Sequence, residues 1–200
     1  MLGLRLPPTS ALRRHTLKRF MMLCLAALAS AGTAAQTAGF LCCNMRTDGA
    51  WISDINYLGQ GKTMIPAGTP LTMNGYGKNR VHVVINGRKQ DIGNDYSRSI
   101  SLETFARRYV VTQDPLERLS TYPRNIQEAI GTARLTKGMT REQVIMAVGY
   151  PVSDENPDLE SKTWRFWLSS WGEFKAIFDD NGLLTRIEAK ADIRPLVVAE

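Results

Sequence analysis

The chain has 200 residues, 44% of them hydrophobic, which suffices for one mixed core or two small ones. Its 25 Lys and Arg against 19 Asp and Glu give a net charge of +6. Five of those cations, Arg5, Arg13, Arg14, Lys18 and Arg19, precede an apolar run with no acid among them, which leaves about +1 elsewhere. No basic stripe with interleaved aromatics remains, so a nucleic-acid partner is not expected.

Residues 1–35 read as a secretory signal. A basic start leads into an apolar stretch at 21–28, and Ala29-Ser30-Ala31 and Thr33-Ala34-Ala35 both fit a small-x-small cleavage rule. Arg13-Arg14 partly resembles a twin-arginine signal, with Thr16 where a large apolar residue is usual. The expected location is the periplasm, with an uncleaved signal anchored in the inner membrane as the alternative.

Cys42 and Cys43 are the cysteines that remain after such a signal, in an oxidising compartment. Adjacent α-carbons lie about 3.8 Å apart, below the usual disulfide range of roughly 4.4–6.8 Å. Three readings stand: small buried hydrophobes or a strained vicinal bridge, pairing between chains, and a metal or redox site. His82 is the one histidine beyond the signal, so a metal site draws at most three ligands from these residues.

Residues 41–114 are rich in Gly and in short β-prone runs. Pro66-Ala67-Gly68-Thr69-Pro70 has a turn-then-strand form, Val81, Val83 and Ile85 alternate with His82 and Val84, and Asn86-Gly87 closes a hairpin onto residues 89–92. These features loosely resemble bacterial SH3-like domains, which implies a small β-barrel. A helix is expected at 102–108 with Ser101 as N-cap and Phe105 inward. Residues 112–122, bracketed by Pro115 and Pro123, mark the expected boundary before a second domain at 120–190.

In that domain Ile126, Ala129, Ile130 and Ala133 keep helical spacing. Thr140 and Gln143 then form a capping box, Val144 and Val148 share a face, and Gly149 with Pro151 ends the helix. Three alternating runs follow, at 163–168, 174–178 and 183–189, joined by Ser169-Ser170-Trp171-Gly172 and by Asp180-Asn181-Gly182. Pro195 breaks the third run, so the tail is expected to be frayed or an added edge strand.

Gly138-Met139-Thr140, Val144, Gly149-Tyr150-Pro151, the aromatic strand and Phe178-Asp179 with Gly182 together resemble the outer-membrane protein assembly factor BamE (SmpA/OmlA) family over roughly residues 125–187. The resemblance implies an α+β fold with two helices packed on a three-stranded antiparallel sheet, here preceded by the SH3-like barrel. It also implies a partner among envelope proteins, the outer-membrane assembly machinery included. Members of that family are lipoproteins. Here Cys24 follows Met22-Leu23 and Cys42 follows Phe40-Leu41, without the small residues that precede a lipid-acceptor cysteine, so a soluble periplasmic protein is expected.

Motifs for catalysis are sparse. A nucleophilic arrangement would have to use His82 with Cys42 or Cys43, and His82 sits in an alternating strand. Gly61-Lys62-Thr63 is preceded by Asn56 where a phosphate-binding loop needs Gly. Asp91 with Asp95, and Asp179 with Asp180, are turn carboxylates. No cofactor is expected.

Two surface groups carry the expectation of binding. Trp167 points opposite to Trp164 and Phe166, Trp171 lies in a turn, and with Arg165 they form a candidate partner patch. Tyr96, Arg98, Arg107 and Arg108 form a candidate anion-binding groove facing an anionic lipid surface. The expected function is therefore non-catalytic binding of a protein partner in the cell envelope, in outer-membrane assembly or maintenance. The alternatives are an inhibitor of a periplasmic enzyme and a thiol-dependent enzyme.

Overall fold

The computed structural model describes Gly3 and residues 36–199 of the chain. The expected signal therefore lies outside the described residues, apart from Gly3. Residues from 36 onward belong to one compact unit, Ala34–Glu200, of mixed α+β architecture.

Eight strands make the first sheet: β1 (Thr37–Leu41), β2 (Met45–Thr47), β3 (Trp51–Ser53), β4 (Thr63–Ile65), β5 (Pro70–Tyr76), β6 (Arg80–Ile85), β7 (Arg88–Gly93) and β8 (Val110–Val111). Their order is β4-β2-β3-β7-β6-β5-β1-β8, and the sheet is curled. β3 and β7 run parallel, while the other pairs are antiparallel. In β6 the alternation drives Val81, Val83 and Ile85 into the core. Asn86 and Gly87, with φ of 51° and 74°, turn the chain in two residues so that Ile85 faces Arg88.

Helix α1 (Leu102–Tyr109) closes this core with Phe105, Ala106 and Tyr109. Its cap is Ser101, whose Oγ accepts from the Thr104 amide at 3.2 Å. The segment expected to be only a boundary holds a further helix, α2 (Pro115–Leu119). Asp114 caps it through the Leu116 amide at 2.9 Å, and Pro115 occupies the first turn, where a missing N–H costs nothing.

Two longer helices follow, α3 (Arg124–Gly131) and α4 (Arg141–Val148). The capping box of α4 is complete: the Gln143 amide donates to Thr140 Oγ1 at 3.3 Å and the Thr140 amide to Gln143 Oε1 at 2.9 Å. Gly149 ends α4 with φ of 87°. A Cβ there would lie 3.1 Å from Met45 Sδ and 3.4 Å from Asn56 Nδ2.

The second sheet is an antiparallel meander, β11-β10-β9, built from β9 (Thr163–Trp167), β10 (Glu173–Phe178) and β11 (Leu184–Ala189). Trp164, Phe166, Phe174, Ala176, Phe178, Leu184 and Ile187 share one hydrophobic cluster with Ile126, Ala129 and Ile130 of α3 and Val144 and Ala147 of α4. Its rings interlock, Phe166 stacking on Phe174 at 5.1 Å and Trp164 meeting Phe178 edge-on at 4.8 Å. The tail is neither frayed nor a sheet edge. It forms α5 (Arg194–Val197), buries Val197, and exchanges 2.8 Å backbone bonds with Leu135. Pro195 sits in the first turn of that helix, which explains why the sequence reads as a break.

The two hydrophobic clusters meet at Ile145, which packs against both. Two buried asparagines make the polar joint. The last carbonyls of a helix have no partner inside the helix, and here the loops after β1 and β3 supply donors. Asn44 Nδ2 donates to Ile130 O at 2.6 Å and Ala147 O at 3.1 Å, while its Oδ1 accepts from the Ala67 amide at 2.9 Å. The Asn44 amide donates to Met146 O, and Asn56 Nδ2 to Val148 O at 2.8 Å and Asn44 O at 3.0 Å.

Candidate functional site

The turn between β9 and β10 presents Trp171, whose residue surface is 88% exposed. Its backbone is pinned: Leu168 N donates to Gly172 O at 2.7 Å, Gly172 N to Ser169 O at 3.3 Å, and Trp171 N to Ser169 Oγ at 3.3 Å. A Cβ at Gly172 would fall 2.6 Å from Ile193 Cδ1, so a larger residue there would have to displace the end of the Ile193 side chain. A large indole is thus held out in water on a fixed turn.

Trp167 is half-buried instead. Its Nε1 donates to Glu155 Oε2 at 2.9 Å, and the Arg165 guanidinium lies 4.5 Å from its ring centroid. Arg165 pairs with Glu173 and lies 3.8 Å from Glu155, so two carboxylates hold it. The same sheet face carries further charges: Lys175 stands opposite Arg165 and Glu188, and Arg186 pairs with Glu188. Trp171 is therefore the exposed apolar member of the expected patch, and Trp167 with Arg165 forms a salt-bridged platform.

The four residues of the expected anion groove point to different surroundings. Tyr96 and Arg98 line an open depression of about 610 Å³ with Trp51, Lys62 and Asp95. Arg107 and Arg108 are not part of that lining. Arg107 donates to Thr104 Oγ1 at 3.1 Å, one turn back on α1, and Arg108 donates to Ser153 Oγ at 2.7 Å and lies 5.2 Å from the Tyr150 ring.

Beneath Tyr96 lies a buried carboxyl, Asp54, only 1% exposed. It accepts from the Tyr96 amide at 3.0 Å and the Asp95 amide at 3.3 Å. Burial pushes its pKa up to about 6, against the lowering effect of the amides and of the Ser97 hydroxyl. Burial likewise raises the Tyr109 and Tyr150 phenols above their ordinary value.

Cys42 and Cys43 are bonded to each other. Cys43 is buried in the first core, and Cys42 is half-buried. The partner of His82 is Asp91, whose Oδ1 lies 2.6 Å from Nδ1. Among the described residues, no group of three His, Cys, Asp or Glu side chains is placed to hold a metal ion.

A feature that sequence patterns did not bring out is a cavity of about 380 Å³ at the junction of the two sheets' helices. Its wall includes Cys42, Val111, Arg118, Arg141, Ile145 and Trp164. Trp164 lies on the buried face of β9 and Arg141 in the first turn of α4. No local pattern marks residues so far apart as neighbours. No family model matches the chain, nor does any curated protein or solved structure.

Proposed function

We propose that the protein is a non-catalytic cell-envelope protein that binds a protein partner, in outer-membrane assembly or maintenance. Its C-terminal part acts as a BamE-like unit of two helices on a three-stranded sheet, carried beside an SH3-like barrel. The observation that carries the reading is Trp171. An exposed indole held on a fixed turn loses little conformational freedom on docking and offers a large apolar area, the features of a binding hot spot. The same meander carries the paired charges of Arg165 and Glu173, joined by Glu155, which suit the polar rim of an interface.

The test compares the native chain with Trp171→Ala in a bacterial host after cross-linking in intact cells. The native chain is expected to yield a stoichiometric adduct with an outer-membrane assembly component, reduced at least tenfold in the variant. Equal adducts from both chains would refute the assignment.

A further inference from the structure

A surface that runs across both sheets joins the Trp171 turn to a second aromatic site. The loop after β3 carries Tyr57 and Leu58, and the Leu58 amide donates at 2.8 Å to the carbonyl of Leu168, which directly follows β9. Burial raises the Tyr57 phenol above its ordinary value, and the Ser170 hydroxyl beside it acts the other way. Ser170 precedes Trp171, so the turn that presents the indole adjoins Tyr57 and the exposed Leu58. Tyr57 is also part of the wall of the open depression of about 610 Å³, together with Trp51, Tyr96, Lys62, Asp95 and Arg98.

The framework of this depression is fixed. Arg80 lies over the Trp51 indole, 3.6 Å from its centroid, and donates to Asp95 Oδ1 at 3.0 Å. A Cβ at position 93 would collide with that indole, and Gly93 leaves it room on β7. Asp54 accepts from the Tyr96 amide at 3.0 Å and so fixes the backbone of a residue that is 47% exposed. Groups held in this way lose little freedom on docking. The charges, in contrast, are unbalanced. Asp95 is matched by Arg80, whereas neither Lys62 nor Arg98 is paired with a carboxylate among the described residues.

Resting on the reading that Trp171 docks a protein partner, we infer that the depression takes a second part of that partner, an extended acidic segment. Its apolar side chain sits among Trp51, Tyr57 and Tyr96, and its carboxylates meet Lys62 and Arg98. An extended segment suits the site because the depression is open and continues toward the Trp171 turn. An acidic one suits it because two cations with no partner attract carboxylates and repel a basic chain, which is how charge sets specificity across an interface. Fixed aromatic rings supply the apolar contact typical of binding hot spots. An anionic bilayer fits less well: clusters of about four to eight Lys or Arg draw a protein to such a surface, and here two line a hollow.

A photoreactive phenylalanine analogue at position 96 of the otherwise unaltered chain tests this in intact cells, alongside the same analogue at 171 and at 125. The expected result is one adduct common to 96 and 171 and absent at 125. Fragmentation of the 96 adduct is expected to place the cross-link within about five residues of at least two Asp or Glu of the partner. Lys62→Glu combined with Arg98→Glu is expected to lower the yield at 96 at least tenfold and at 171 at least threefold, with Tm within about 2 °C because neither side chain is buried. Capture at 171 without capture at 96 would overturn the inference and leave the Trp171 reading standing. No capture at 171 would overturn the reading on which the inference rests. Capture at 96 of a lipid, of a different protein, or of a neutral or basic segment would overturn the inference alone, as would an unchanged yield in the double variant.

Discussion

Replacing Asn44 with Ala probes the joint between the sheet of β1–β8 and the helices α3 and α4. The side chain makes three hydrogen bonds, to Ile130 O, Ala147 O and the Ala67 amide, and the residue is 3% exposed. Each bond contributes about 1 kcal/mol net, and a stranded buried amide adds about 1–3 kcal/mol, so Asn44→Ala is expected to destabilise the fold by about 4 kcal/mol. For a unit of this size 1 kcal/mol corresponds to roughly 2–4 °C, which places the fall in Tm at about 8–16 °C. Thermal melts followed by circular dichroism measure it, and hydrogen exchange at the Ala67 amide reports the stranded donor directly. Asn125→Ala, at an exposed position of α3, is the control and is expected to change stability by less than about 0.5 kcal/mol. A fall below about 2 °C for Asn44→Ala would refute the idea that these side-chain bonds hold the two parts together.

Three further outcomes follow from the geometry. Asp54 has a folded pKa of about 6, above the ordinary carboxylate value near 3.9, so its favourable contribution is complete below about pH 4 and is lost as the pH rises through 6. Asp54→Asn is therefore expected to flatten the fall in stability between pH 4 and 7 by up to about 3 kcal/mol, and denaturant titrations with the same slope in both chains would contradict this. Gly149→Ala forces a side chain onto φ of 87° and against Met45, and it is expected to cost about 2 kcal/mol by chemical denaturation; unchanged stability would show that the turn relaxes freely. Trp171→Ala is expected to leave Tm within about 2 °C while removing the most solvent-exposed, red-shifted indole emission; a larger fall would mean that the ring supports the fold.

What was legible in the sequence was what neighbours in sequence determine. Thr140 and Gln143 sit three residues apart and cap α4 by themselves, and the alternation of Val81, Val83 and Ile85 needs only a strand with one buried face. Helices α2 and α5 were not legible, because one turn is too short to show periodicity and Pro115 and Pro195 read as breaks although both occupy first turns. Asn44 resembled any turn asparagine, since its acceptors lie 86 and 103 residues away. The cavity was hidden for the same reason, its wall being gathered from Cys42 to Trp164. At the surface, a tryptophan in a four-residue turn has few places to hide, so the exposure of Trp171 was readable. The fate of Trp167 depended on Glu155, twelve residues away, and on Arg165 held opposite Glu173.

The most direct measurement of the binding role places a photoreactive phenylalanine analogue at position 171 and irradiates intact cells. The account predicts one dominant adduct with an outer-membrane assembly component, absent when the same analogue stands at the exposed position 125 on α3. Adducts of equal yield at both positions, or none with any envelope protein at 171, would contradict it.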